Sequence, residues 1–353
     1  MRISLSIICS VILFISAVGR VELIAADSLQ LGDPAPSIEG VKWLRGEPVD
    51  KWQPGHVYIL DFWATWCAPC LSQMPSHQAL EDRYADKNVH VVGIAVWSGK
   101  GPKTPAEALE LHPGLKYAVA EDVDNKTAEI FMDGTKTRGL PALMLVDRNG
   151  RLVWVGDPGE KFDTALESVL ADTFDLDSAR RSDKVRRKSQ DLFDEIDGYR
   201  RSGNSELALE RVDDVIALDP SGNGWAYAMK YEIAVTDLKD PDTARAAFQE
   251  FIANESGRNP FFNYVFVLRL LRATEELPTA QRDLDKALQL AQRAVELADK
   301  PSPEYLAALA RVHFLRGENN DAITWQKKAI EAAPSAQRDA LSDTLAEYES
   351  AEE

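Results

Sequence analysis

Two cysteines separated by two residues, Cys67 and Cys70, are the side chains in this sequence best suited to chemistry. Such a pair can close a short disulfide ring. A thiolate at the start of a helix is stabilised by unpaired N–H groups and the positive end of the helix dipole. The apolar run at residues 57–60 predicts a buried strand before the pair, and the apolar spacing over residues 71–85 predicts a helix after it. The sequence therefore places a dithiol between a strand and a helix.

The two cysteines are expected to have different roles. Cys67 would lie at the helix start, which makes it the expected nucleophile. Pro69 can begin the helix because it has no N–H group to lose there, so Cys70 would lie about one turn in and be less accessible. Cys70 then suits the resolving step that closes the disulfide.

Half of a zinc site is the alternative interpretation of this cysteine spacing. Zinc would need two more ligands, and the sequence has no second CxxC and no HxxxH. The histidines lie singly in unrelated sequence contexts, which favours surface or satisfied core positions for them. They are His56, His77, His90, His112 and His313. We therefore expect redox chemistry with no metal and no cofactor.

Residues 61–70, DFWATWCAPC, resemble the thioredoxin active-site signature. Residues 31–36, LGDPAP, are similar to the start of the redoxin and TlpA/ResA group of extracytoplasmic thiol-disulfide oxidoreductases. The resemblance covers roughly residues 29–172, about the usual size of one domain. It implies an α/β thioredoxin-like domain, in which helices flank a central mixed sheet.

The resemblance also implies a role for Asp61, which stands six residues before Cys67. In the family this position holds a buried acid that exchanges the proton of the second cysteine, here Cys70. A buried carboxylate is costly unless it is protonated or paired. The alternative is a strand-end aspartate that bonds to nearby backbone.

A second implied element is the loop at Leu140 and Pro141, which precedes the apolar run at residues 143–146. It matches the family's cis-proline loop, which faces the dithiol and pairs its backbone with the substrate. Together with Trp66 and Pro69, this loop is the predicted substrate-binding surface. An ordinary trans proline at a strand edge is the alternative.

A peroxidase function can be tested on the sequence, because redoxins and peroxiredoxins share the fold. The peroxidase signature resembles Pro-x-x-x-Thr-x-x-Cys. Counting back from Cys67, Ala64 and Leu60 stand where threonine and proline are needed, and counting back from Cys70 gives Cys67 and Trp63. The sequence therefore disfavours a peroxidase.

Location is indicated by residues 1–26, where Arg2 precedes a mainly apolar run at residues 3–18. This pattern is typical of a secretory signal peptide. The run is short for a membrane span, which needs roughly 20 apolar residues, although residues 21–26 could extend it into an uncleaved anchor. We expect an exported, periplasmic or extracytoplasmic protein whose mature chain retains only Cys67 and Cys70.

The net charge of −17 indicates which classes of partner the protein can bind. Phosphate binding needs concentrated lysine and arginine, so an acidic chain of this kind argues against nucleic acid. Protein disulfides or dithiols, and a thiol protein that donates or accepts electrons, are the expected partners. The membrane would be a partner only through an uncleaved N-terminal segment.

We expect the redox domain to span residues 27–172. The chain beyond it is rich in helix formers, and its residue pattern recurs at a spacing near 34 residues, as in tetratricopeptide repeats. We predict a linker at residues 173–188 and an all-α repeat domain at residues 189–350. The basic run in the linker is expected to be a solvated helix face. The repeats would either dock a protein partner or only pack on the redox domain or dimerise.

The sequence therefore predicts an extracytoplasmic thiol-disulfide oxidoreductase whose Cys67–Cys70 pair exchanges electrons with protein disulfides. The alternative is a redox-sensing scaffold in which the repeats carry the function.

Overall fold

A computed structural model describes residues 29–101, 103–275 and 283–351 of the chain. The first part contains one six-stranded mixed sheet with the order β1-β4-β3-β2-β5-β6. The strands β2, β3 and β4 run parallel to one another, and the remaining pairs are antiparallel. The strands are β1 (Lys42–Arg45), β2 (Val57–Trp63), β3 (Val89–Ala95), β4 (Ala118–Glu121), β5 (Ala142–Val146) and β6 (Leu152–Gly156).

The central strand β2 is buried at all seven positions, because both faces of the sheet are covered. Side chains alternate between the faces of a strand. Ile59 and Trp63 belong to the apolar layer that also holds the two cysteines, whereas Leu60 and Phe62 belong to the opposite layer. This alternation fixes which residues of β2 can approach the dithiol.

Four helices accompany the sheet: α1 (Ala68–Tyr84), α2 (Pro105–Glu110), α3 (Lys126–Ala128) and α4 (Glu160–Leu170). A π-helical turn, Glu129–Asp133, directly continues α3. The start of α2 has a capping box formed by Thr104 and Glu107. The Thr104 hydroxyl accepts from the Glu107 N–H at 3.3 Å, and the Glu107 carboxylate accepts from the Thr104 N–H at 2.7 Å.

Nine α-helices occupy the described residues beyond the sheet domain, so the predicted fold class is confirmed. Within residues 176–275 and 283–351, short connections join successive helices, and most helices that are adjacent in the chain pack against each other as hairpins, as in helical arrays. Their apolar faces form further clusters, the largest of which is built around Phe251 and Phe266. The helices are α5 (Leu176–Arg201), α6 (Ser205–Leu218), α7 (Gly224–Ile233), α8 (Pro241–Ala253), α9 (Pro260–Ala273), α10 (Leu284–Glu296), α11 (Pro303–Leu315), α12 (Asn319–Ala332) and α13 (Ser335–Ser350).

The predicted linker, residues 173–188, contains the first half of the 26-residue helix α5. Its basic run is not simply a solvated face. We name Asp183, Arg186 and Arg187 the arginine clamp. Asp183 is buried and accepts from Arg186 Nη2 at 2.7 Å and from Arg187 Nε at 2.6 Å, one turn along the same helix.

The arginine clamp reaches the sheet domain through backbone carbonyls. Arg187 donates to the Gly134 carbonyl at 3.2 Å and also to the Leu29 carbonyl, and Arg186 donates to the Thr135 carbonyl. Gly134 and Thr135 follow the π-helical turn, where carbonyls lack helical partners and a cation is favoured. The expectation of a solvated face was therefore wrong for Arg186 and Arg187, which join the helical part to the sheet domain.

The predicted signal peptide, residues 1–26, lies outside the described residues. Among the residues that are described, no helix is long and apolar enough to cross a membrane.

Candidate active site

Cys67 and Cys70 form a disulfide at the start of α1, with the sulfur atoms 1.96 Å apart. Cys67 is the N-cap residue of the helix, and its sulfur accepts from the Cys70 N–H at 3.3 Å. Pro69 lies in the first turn, where its missing N–H costs nothing. In the dithiol form, this position would stabilise a thiolate on Cys67 through the helix N-terminus.

The two sulfur-bearing residues differ little in exposure. Cys67 is 4% exposed and Cys70 is 1% exposed, so the expected contrast in accessibility is small. The exposed side chains beside them are Trp66, Ala68 and Pro69. A substrate would therefore meet this rim before it reaches the sulfur of Cys67.

Asp61 lies on β2 and is only 1% exposed. Strand alternation places its side chain on the same face as Ile59 and Trp63, which is the face covered by the cysteine-bearing layer. Its Oδ2 atom lies 3.0 Å from Nδ1 of His77. Its Oδ1 atom is buried and has no hydrogen-bond partner among the described residues.

His77 faces Asp61 because it belongs to the buried stripe of α1. The buried residues of this helix are Cys70, Met74 and His77, at positions i, i+4 and i+7. One face of α1 therefore carries both the second cysteine and the histidine toward the sheet.

The charge state of His77 is set by two opposing effects. Burial disfavours the imidazolium, but the negative charge of Asp61 and its hydrogen bond to His77 favour it more strongly. The net result is that the pKa of His77 is raised above its ordinary value.

The structure corrects the expectation that the histidines lie singly. Besides His77, which pairs with Asp61, His56 and His90 lie side by side with Nδ1 and Nε2 2.8 Å apart. Burial and the charge of His56 lower the pKa of His90. Residue spacing alone did not reveal either contact.

The loop before β5 contains a cis peptide bond between Leu140 and Pro141, as expected. In the antiparallel pairing of β5 with β2, Ala142 lies opposite Phe62. The residues that precede Ala142 therefore lie beside the end of β2, from which the chain runs on to Cys67. Leu140 is partly buried and packs against both apolar layers.

Trp97 is a residue of this region that the sequence analysis missed. It stacks on Trp66 with ring centroids 6.3 Å apart. Its backbone has a φ of +54°, which is unusual for a bulky residue. It also borders a polar cavity of about 380 Å³, lined in part by Lys100, Glu121 and Asn125. The sequence signal that could have identified Trp97 is its position two residues after the buried strand β3.

One group of potential metal ligands occurs among the described residues, in the helical part: His313, Glu318 and Asp321. His313 lies 2.7 Å from Glu318, and Arg316 donates to the same carboxylate at 2.8 Å. The arginine already supplies the positive charge that a cation would bring, so these residues are explained as an ion-pair network.

Comparison with known proteins yields a match to the redoxin family over residues 30–170. Protein FixW of Rhizobium leguminosarum is 28% identical over 138 residues, which are 37% of this chain and 62% of FixW. The thiol-disulfide oxidoreductase ResA of Bacillus anthracis is 29% identical over 128 residues, or 36% of this chain and 69% of ResA. The chain thus spans less than two thirds of FixW.

A solved structure with similarity to this chain is the thioredoxin domain of a thiol-disulfide oxidoreductase from Bacteroides vulgatus. It is 20% identical, covers 40% of this chain and 99% of that domain, and has a TM-score of 0.34. The family match falls on the sheet domain, and together with the similar sequences it supports the thioredoxin-like character of that domain.

Proposed function

We propose that this protein is a thiol-disulfide oxidoreductase that exchanges electrons between its Cys67–Cys70 pair and the disulfides of protein substrates. The observation that carries the proposal is the position of the pair at the N-terminus of α1, where Cys67 caps the helix. The redoxin match and the name of the ResA relatives support the same chemistry.

In the proposed reaction, the thiolate of Cys67 attacks a substrate disulfide and releases one substrate thiolate, which takes up a proton. Cys70 then loses its proton to Asp61 and attacks the sulfur of Cys67. This step forms the Cys67–Cys70 disulfide and releases the second substrate thiolate, which is protonated in turn. Two electrons pass to the substrate, and a dithiol protein must later reduce the Cys67–Cys70 disulfide.

The proposed substrate surface consists of Trp66, Pro69, Leu140 and Pro141, to which we add Trp97. The backbone of the proline loop would pair with an extended substrate segment, as β-strand addition does in other complexes. The unusual backbone of Trp97 supports its inclusion, because such conformations cluster where a binding site requires them.

Replacing Trp97 with alanine is expected to raise the KM for a protein disulfide by about 2- to 10-fold, with kcat unchanged. The reason is that an aromatic contact contributes about 0.5–1.5 kcal/mol. Steady-state kinetics with a protein disulfide and a small alkyl disulfide would measure this. Leu111→Ala is the control, since Leu111 is also exposed, at 44%, but lies in the sheet domain, outside the proposed substrate surface and the helical array. Equal effects of both variants on the KM would show that Trp97 is not part of the substrate surface.

For location, we propose export by the N-terminal segment to a periplasmic or extracytoplasmic compartment, with that segment either cleaved or kept as an anchor. A mature chain with only Cys67 and Cys70 would have no other disulfide, so its thiol chemistry would be confined to one site.

For the helical part, we propose a tetratricopeptide-type array over residues 189–350 that docks a protein partner. Its helical hairpins and its acidic composition support docking of protein and not of nucleic acid. In this proposal, the array selects which protein disulfide reaches the dithiol.

The test of substrate identity is the Cys70→Ser variant, which can attack a disulfide but cannot resolve the product. We expect it to accumulate a mixed disulfide with its substrate on Cys67, and non-reducing electrophoresis with mass spectrometry would identify the partner. The Cys67→Ser/Cys70→Ser protein is the control and should trap nothing. If both proteins trap nothing, the result contradicts the oxidoreductase proposal and favours its alternative.

That alternative is a redox-sensing scaffold, and the arginine clamp is the observation that favours it. The clamp binds helix α5 to the carbonyls of Gly134 and Thr135, a few residues before the proline loop. A change at the dithiol could therefore reach the helical part through this loop.

A further inference from the structure

We propose that His77 is a positioning residue for thiol-disulfide exchange: its imidazolium pairs with Oδ2 of Asp61 and orients the carboxylate, with Oδ1 open to take the proton of Cys70. This inference rests on the proposed function and adds to it a histidine that neither the active-site signature nor the redoxin match assigns. It derives from the buried contact between α1 and β2.

The positions of Cys70, His77 and Asp61 support this role. Cys70 and His77 lie on one buried stripe of α1, seven residues apart and thus about two helical turns. Asp61 lies on the face of β2 that packs against this layer. His77 therefore contacts the carboxylate directly, and Cys70 lies on the same buried stripe of the helix.

The two carboxylate oxygens of Asp61 have different environments. Oδ2 is engaged by His77 Nδ1 at 3.0 Å, whereas Oδ1 is buried with no partner among the described residues. A buried carboxylate is costly unless it is paired. His77 supplies the pairing charge on one oxygen and leaves the other free to accept a proton.

The electrostatic surroundings of the Asp61–His77 pair include further ionisable side chains. Tyr117 interacts with the charge of Asp61, and Glu81 and Arg45 act on Tyr117 in turn. Burial, and then the charges of Asp61 and Glu81, raise the pKa of Tyr117, which keeps this phenol neutral. Burial also raises the pKa of Glu81, although its bond to the Val91 N–H opposes this.

Arg45 is turned toward the carbonyls of Leu109 and His112, to which it donates at 3.1 and 2.6 Å. Its hydrogen bonds are therefore directed to backbone and not to Asp61. Among the residues described, His77 is the cationic side chain that contacts the Asp61 carboxylate.

During the resolving step, one proton passes from Cys70 to the released substrate thiolate by way of Asp61. Asp61 Oδ1 takes the proton of the Cys70 thiol, and the new thiolate attacks the sulfur of Cys67 in the mixed disulfide. The Cys67–Cys70 disulfide forms, the bond from Cys67 to the substrate breaks, and the released substrate thiolate becomes the final acceptor of that proton. His77 keeps its own proton throughout, so its effect is exerted through Asp61.

The test is the pH dependence of the resolving step in His77→Asn. Asparagine can still donate to Asp61 near the position of Nδ1 but carries no charge. Reaction of the reduced protein with an aromatic disulfide reagent releases one chromophore when Cys67 attacks and a second when Cys70 resolves. We expect the half-maximal pH of the second release to move upward by about 1 to 3 units, the usual effect of losing an opposite charge beside a carboxylate.

His313→Asn is the matched control, because His313 also pairs with a carboxylate but lies in the helical part. It should leave the half-maximal pH unchanged. If His77→Asn lowers the rate equally at every pH, or not at all, His77 has only a structural role and the inference is overturned.

A measurement on the unaltered protein covers the case in which His77→Asn fails to fold. The ring nitrogen shifts of His77 in the reduced protein, followed by NMR, should report an imidazolium at neutral pH. A neutral ring would overturn the inference. Absence of any resolving step in the wild-type protein would instead overturn the proposed function, which keeps the two failures distinguishable.

Discussion

Replacing Cys67 with serine is expected to reduce disulfide turnover to the uncatalysed rate. The first step needs a thiolate that forms a sulfur–sulfur bond with the substrate, and a serine oxygen cannot replace it. The position of Cys67 at the N-cap of α1 also makes it the thiol that the helix N-terminus activates. Reduction of a model protein disulfide in the presence of excess dithiol would measure the loss.

The Cys70→Ser protein provides the matched comparison, because it keeps Cys67 and the same helix start. It should show a single stoichiometric attack but no efficient turnover. If the Cys67→Ser protein turns over as fast as the wild type, catalysis does not depend on this thiol. The oxidoreductase proposal is then lost.

Replacing Asp183 with alanine should destabilise the folded chain by about 3 kcal/mol. Asp183 is buried and neutralises both Arg186 and Arg187, so its loss leaves two cationic side chains near carbonyls without their carboxylate. We place the effect at the lower end of the usual range because the Arg186 side chain is 28% exposed. Urea unfolding followed by circular dichroism would report the change.

Asp177→Ala is the control for this variant, since Asp177 pairs with Arg180 on the same helix at 3.4 Å. Both side chains of that pair are largely exposed, at 79% and 51%. An exposed pair contributes at most about 1 kcal/mol, so this control should shift the unfolding midpoint little. Equal shifts in the two variants would show that the arginine clamp does not stabilise the junction.

The local features of this protein were readable from its sequence. The dithiol at a helix start and the capping box at Thr104 depend on a few neighbouring residues, whereas the cis bond before Pro141 was implied by the family resemblance; the structure shows all three. The α/β thioredoxin-like fold of the first part was implied by the family resemblance, and the helical second part by its composition and its repeat spacing near 34 residues.

The contacts that the sequence did not reveal are those between elements. His77 and Asp61 are 16 residues apart and meet only because α1 packs on β2. A signal was present, since Cys70 and His77 share a helical stripe and Asp61 alternates with apolar residues. Combining the two periodicities requires knowledge of which faces meet, and a single sequence does not supply it.

The arginine clamp was missed for a different reason. In a helix rich in charged residues, an arginine that reaches backbone carbonyls looks the same in sequence as one in water. Only the position of the Gly134 and Thr135 carbonyls distinguishes Arg186 and Arg187 from their solvated neighbours.

The arginine clamp also determines where the redox module can be excised. The redoxin match ends at residue 170, and a fragment cut there would lack α5. It would uncover the carbonyls of Leu29, Gly134 and Thr135 and the apolar surface that Leu176 covers. We therefore expect the smallest self-contained redox fragment to end beyond Arg187, so that helix α5 belongs to the redox module as well.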